Sequence, residues 1–297
     1  MALVSGGAPV TATPAPTVAR GRGTGALQGL AIAGLLVAVY HRTAAELWHV
    51  WTHNDNYSHG PLVPLVAIAL AWLRRDRLAA AERRPDARGL AVVAMACVFQ
   101  VLGIRSDVFS LEGWSIPLMV TGLSLTFLGG EITRLLAFPI GYLTFMLTFP
   151  PFLVTTLSQG LKEITVRLAI EAAEALGVLI RRNGMTLYLS DGPLRVENPC
   201  SGLRSLIALL ATGAVFAWLQ PGGGWRRWVV LLSAIPIAVV GNAIRLTAIL
   251  LVGHYDGVAR ATGLFHDASG WAVYALALGG LFGVRRLLTP RPRAATA

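Results

Sequence analysis

The chain is a series of apolar runs joined by short, arginine-bearing connections, and this pattern leaves few folds open. Eight runs stand out, at about 24–41, 60–73, 89–104, 115–130, 135–153, 202–219, 228–252 and 268–284. Inside a bilayer each backbone N–H and C=O must be satisfied within the protein, so apolar runs near membrane length read as helices. Of the 297 residues, 55% are hydrophobic and 13% charged, the latter about half the usual globular share. The expected fold is an all-α polytopic membrane protein with about eight transmembrane helices. Residues 1–25, rich in Ala, Pro, Thr and Gly, are expected as a disordered tail. A single membrane domain is expected over 26–286, and a basic tail over 287–297.

The net charge of +10 does not point to nucleic acid, because the arginines flank apolar runs, as orientation signals do. Arg74, Arg75, Arg77, Arg83, Arg84 and Arg88 follow the second run, Arg226 and Arg227 precede the seventh, and Arg285, Arg286, Arg291 and Arg293 follow the eighth. With eight spans these fall on one side. The short opposite loops hold only Arg42, Arg105 and Arg260. The expected protein is therefore multi-pass in the plasma membrane, with both termini cytoplasmic. Residues 42–59, 154–201 and 253–267 then face outward.

The long outward segment has two parts. Leu161, Ile164, Leu168, Ala172, Ala175 and Leu179 recur at helical spacing, which predicts an outer amphipathic helix over 158–182. Met185–Ser190 and Leu194–Val196 flank Asp191-Gly192-Pro193 and predict a short β-hairpin. The hairpin leads into Glu197-Asn198-Pro199-Cys200-Ser201-Gly202-Leu203-Arg204. Asn198 suits an N-cap and Pro199 the first helical position. Cys200 would then sit at the positive end of a helix dipole, which favours the nucleophilic thiolate. The plainer alternative is a small cysteine at a helix start. Cys97, inside an apolar run, is expected as inert packing.

Three further groups stand near outward helix ends. Arg245, in Gly241-Asn242-Ala243-Ile244-Arg245, either faces a polar cleft or snorkels to the interface. Asn242 shares its face. His266 opens the last span, with Asp267 as a candidate N-cap, and His254 is a second histidine on that side. Tyr57 and His59, in Asn54-Asp55-Asn56-Tyr57-Ser58-His59-Gly60, either line an entrance or cap a helix. A thiolate, a guanidinium and an imidazole together suit acyl transfer.

Asn-Pro-Cys-Ser-Gly-Leu-Arg-Ser, Asn-Ala-Ile-Arg-Leu-Thr and His-Asp-Ala-Ser-Gly-Trp occur in that order across three successive spans. Together with Tyr57-Ser58-His59-Gly60, they resemble the exosortase/archaeosortase family from about Tyr57 to Trp271. The resemblance implies a cysteine endopeptidase or transpeptidase of the membrane. Its substrates would be exported proteins with a C-terminal sorting signal: a Pro-Glu-Pro-like motif, a helix and a basic tail. The new C-terminus would be released or passed to an acceptor. The family's catalytic cysteine, arginine and histidine fall on Cys200, Arg245 and His266, on the outer face. Arg204, Tyr57, His59, Asn242 and His254 are candidate substrate-binding residues. Pro199 departs from the family, where alanine often precedes the cysteine. No cofactor or metal is expected. The main alternative is a transporter or channel for an anionic solute lined by Arg204 and Arg245. A metal-dependent hydrolase using His53, Asp55, His59, His254 or His266 lacks a zinc-type His-Glu spacing.

Overall fold

The computed structural model describes residues 22–196 and 202–289. It is mostly helical, with one three-stranded sheet. The helices are α1 (Arg22–His53), α2 (Leu62–Trp72), α3 (Arg75–Ala80), α4 (Arg88–Ser106), α5 (Phe109–Leu128), α6 (Gly130–Tyr142) and α7 (Pro151–Ala175), and then α8 (Leu203–Trp218), α9 (Trp225–Tyr255), α10 (Val258–Thr262) and α11 (Leu264–Leu288). The chain divides into two compact units, residues 1–45 and 46–297. The described part of the first is the start of α1, where Leu27, Leu30, Leu35 and Val37 all stand exposed. The second holds the rest of the structure.

Among the described residues, five helices are long and apolar enough to cross a membrane, or six if the bent pair 130–146 and 151–175 counts as one span. The eight expected spans are therefore not all of membrane length. The second corresponds to α2, whose 11 residues reach only about 16 Å against a core of about 30 Å. The sixth corresponds to α8, with 16 residues. The fifth, expected over 135–153, is broken. A 3-10 turn at Leu143–Met146 ends α6, and α7 restarts at Pro151 at an angle of 77°. Phe149-Pro150-Pro151 explains the break, because each residue before a proline is disfavoured in helical conformation.

α4 and α5 form an antiparallel pair whose backbones touch through glycine. A Cβ on Gly122 would lie 2.7 Å from the Val93 backbone nitrogen, and one on Gly89 would run into that of Thr126. Small residues allow this approach where lipid offers no hydrophobic drive for association. Cys97, expected as packing, is instead exposed on the flank of α4.

The same rule decides the packing face of α7, which ends at Ala175 where the helix was expected to run to 182. Its buried residues are Thr165, Val166, Ala169 and Ala173, not the larger apolar stripe. Ile164, Leu168 and Leu179 are exposed. Small side chains let α7 pack closely on α9, and the large ones are turned outward. Val166, Ala169 and Ala173 join Leu246, Ile249 and Leu250 of α9 in one core, which also takes Leu187 and Leu194 from the sheet.

The expected hairpin is present as β2 (Thr186–Leu189) paired antiparallel with β3 (Gly192–Arg195), Leu187 opposite Leu194. A further strand, β1 (Arg181–Asn183), pairs with β2 across a turn at Gly184. The two-residue loop is Gly184-Met185, and a glycine at its first position is the signal of a II′ hairpin turn. Gly122→Leu is expected to lower the thermal unfolding midpoint in detergent, with an overpacking cost of about 1–3 kcal/mol. Gly141→Ala in α6, where a Cβ meets nothing within 4 Å, is expected to leave the midpoint unchanged or raise it.

Candidate functional site

The sequence expectation starts a helix at Pro199, but α8 begins at Leu203 with Gly202 as its N-cap. Asn198, Pro199 and Cys200 lie outside the described residues, as does the side chain of His266. The segments that carry Cys200 and His266 are nonetheless framed by the residues just beyond each. Gly202, two residues past Cys200, has a φ of 74°, in the left-handed region. A Cβ there would lie 2.8 Å from Asn242 Nδ2 and 3.0 Å from its Cγ. The backbone at Gly202 thus packs directly on the Asn242 amide of α9. Asn242 is buried, and its Nδ2 donates to Thr165 Oγ1 of α7 at 3.3 Å.

Arg245 lies three residues along α9 on the same face. Its Nε donates to Ser269 Oγ at 3.3 Å, and its guanidinium rests against Gly270 of α11. His266 stands three residues before Ser269, in the first turn of α11. That helix starts at Leu264 with Gly263 as N-cap, so Asp267 is inside the helix rather than its cap. Asn242, Arg245, Ser205, Gly270 and Tyr274 line a narrow cleft of about 30 Å³ between α8, α9 and α11, room for about one water. Of the two readings of Arg245, the cleft-facing one is found.

A second cluster gathers Asp55, Tyr57, His59 and Arg204. Arg204 pairs with Asp55 at 3.6 Å, both side chains about half exposed or more, so the pair adds little stability. Tyr57 is buried against Leu203 and Ile207. Its hydroxyl accepts from the Phe149 N–H at 3.1 Å, His59 Nε2 donates to the Phe145 carbonyl at 3.1 Å, and Trp51 Nε1 donates to the Met146 carbonyl at 3.0 Å. These three side chains satisfy the backbone where the chain breaks between α6 and α7. Tyr57 and His59 therefore latch that turn, and neither lines the cleft. Burial raises the Tyr57 pKa, and the Phe149 N–H opposes it.

His254 is not at the cleft either. It stands nine residues beyond Arg245 in α9, about 14 Å along the axis. Its Nδ1 shares a hydrogen bond with Ser190 Oγ at 3.3 Å, while Asp191 Oδ2 accepts from the Val258 N–H at 3.1 Å. The β2–β3 turn is thereby docked on the corner between α9 and α10. Thr165, Ser190, Asp191 and Ser269 are the supporting residues that sequence reasoning missed. Ser269 carried a signal as part of His266-Asp267-Ala268-Ser269-Gly270, and Asp191 as part of the hairpin turn.

Burial lowers the His59 pKa below its ordinary 6.5, the charge of Arg204 acts in the same direction, and the Phe145 carbonyl opposes both. The unfolded chain binds this proton first. The His59 contribution is therefore full above about pH 6.5 and lost as pH falls through the lowered folded value. Unfolding midpoints in detergent, compared at about pH 7.5 and about pH 5, are expected to fall less for His59→Gln than for the parent. Parallel falls would contradict this.

The transmembrane exosortase family model matches residues 51–283. No curated protein and no solved structure matches the chain. The matched stretch is well over half of the chain and contains Gly202, Asn242, Arg245 and Ser269 with the latch residues before them, so the chain belongs to the transmembrane exosortase family.

Proposed function

We propose that this sorting-related membrane enzyme is a cysteine endopeptidase or transpeptidase with Cys200 as nucleophile, Arg245 as oxyanion stabiliser and His266 as proton shuttle. The observation that carries the reading is the packing of Gly202 on Asn242 and of Arg245 on Ser269 and Gly270. It sets the segment after Cys200, the middle of α9 and the start of α11 against one another. The Cys200 thiolate attacks the scissile carbonyl carbon, forming a C–S bond and a tetrahedral oxyanion. Arg245, steadied by Ser269, supplies charge-assisted donors to that oxygen. Collapse breaks the C–N bond as protonated His266 gives its proton to the leaving amine. The thioester is then attacked by an acceptor nucleophile or water, whose proton returns to His266 as the thiolate leaves.

The substrate in this reading is an exported protein with a C-terminal sorting signal, whose apolar helix lies in the same bilayer. The chain would span the plasma membrane with both termini cytoplasmic and the Arg245 cleft toward the outer face, as the arginine distribution favours. Residues 26–286 act as one catalytic domain in this scheme. Arg204, beside the 55–59 turn, would meet an acidic side chain of the signal, and its solvent-exposed, exchangeable pairing with Asp55 supports this reading.

The test is processing of a co-expressed reporter carrying a sorting signal, read by immunoblot against membrane levels of each variant. Cys200→Ala is expected to abolish processing. Arg245→Lys is expected to slow it by about 100-fold, the scale for losing an oxyanion donor, because lysine lacks the planar fork. His266→Ala is expected to lose activity, whereas His254→Ala keeps most of it. Full processing by Cys200→Ala would end the mechanism, and full activity of Arg245→Lys would remove the oxyanion role.

A further inference from the structure

The end of the bundle away from Arg245 carries a second cluster of guanidinium groups, joined by aromatic rings. Arg74, just after α2, is partly buried. Its Cζ lies 4.7 Å from the centre of the Trp218 ring at the end of α8, and its Nη1 donates to the Leu135 carbonyl of α6 at 3.3 Å. Trp218 is itself stacked on Phe138 at 5.1 Å, nearly parallel. Arg74 is thus fixed by a ring on one side and a carbonyl on the other. Burial lowers its pKa, and the charges of Arg77 in α3 and Arg227 in α9 lower it further. Arg77 stands three residues on in α3, and Arg227 lies in the first turn of α9, nine residues past Trp218.

Among the described residues no carboxylate pairs with Arg74, Arg77 or Arg227. The acidic groups nearby in sequence are engaged elsewhere: Asp76 with Arg75 at 3.7 Å, Glu82 with Arg84 at 2.7 Å, and Asp86 with the Arg88 N–H at 2.9 Å. Three cations gathered without a counter-charge raise one another's energy, and an anion between them removes that cost. The surroundings say what kind of anion. Trp72, Leu73, Trp225 and Trp228 are exposed beside the three arginines in sequence. Tryptophan and arginine interleaved at helix ends mark the level where a bilayer meets water. A phosphate seated there has apolar surface next to it for an acyl chain.

We propose that Arg74, Arg77 and Arg227 form a binding site for the phosphate headgroup of an anionic membrane phospholipid. Arg74 is the fixed member, and Arg77 and Arg227, both exposed, close on the phosphate from α3 and α9. The site binds α2, α3 and α9 to one lipid molecule and is independent of the cleft chemistry.

The experiment uses the full chain purified in a neutral detergent, with three additives titrated separately: phosphatidylglycerol, phosphatidylcholine and inorganic phosphate. Thermal midpoints and lipid adducts in native mass spectrometry are recorded. Phosphatidylglycerol alone is expected to raise the midpoint and remain bound. Arg77→Gln and Arg227→Gln are each expected to weaken it about fivefold, and the double variant about 25-fold. Arg105→Gln, in the last turn of α4, is expected to leave binding unchanged. The two exposed arginines are chosen because Arg74→Gln also removes a helix contact. Equal stabilisation by inorganic phosphate, no response to phosphatidylglycerol, or undiminished binding by the double variant would each overturn the proposal.

Discussion

The contact between the Gly202 backbone and the Asn242 amide sets the geometry of everything around it. No side chain fits between them, and the backbone at Gly202 is left-handed, a state that costs other L-residues about 1–2 kcal/mol. Glycine is therefore required on two independent grounds. The contact fixes where α8 begins relative to α9. Asn242 then passes the constraint to α7 through Thr165, and Arg245, one turn on, passes it to α11 through Ser269. Each hydrogen bond is worth only about 1 kcal/mol net. Their importance is positional, since they set four helices in one register around a cleft.

The break between α6 and α7 solves a related problem. Two consecutive prolines force the chain out of helix, which leaves backbone groups without intrahelical partners in an apolar setting. Trp51, Tyr57 and His59 supply partners for residues 145–149. The bend in turn lets α7 lie along α9 instead of continuing the axis of α6. Thr165 reaches Asn242 only because of that change in direction. A turn remote from the cleft in sequence thus positions one of its supports.

Much of this was legible in the sequence, and the parts that were not share a cause. Apolar runs located the helices, alternating residues around Asp191-Gly192-Pro193 located the hairpin, and the cleft-facing option for Arg245 followed from the cost of burying its charge. The outer amphipathic helix ends at Ala175 rather than at 182, and its large apolar residues do not mark the face that packs on α9. In a membrane, Thr165, Ala169 and Ala173 pack inside while Ile164 and Leu168 face out. Among the described residues five or six of the eight expected spans reach membrane length, because composition does not reveal where an apolar stretch bends or stops short. For Tyr57 and His59 the entrance and cap readings stayed open in the sequence, because their polar atoms serve backbone groups that no motif displays. β1 was overlooked although Gly184, at the first position of its two-residue loop, is a hairpin signal.

Cys97 projects outward from near the middle of α4, with no packing role to lose. In a Cys200→Ala background, a nitroxide or fluorophore attached there would report immersion depth along that helix without disturbing its glycine contact with α5. The molecule thus carries a native attachment point for measuring how deeply it sits in lipid.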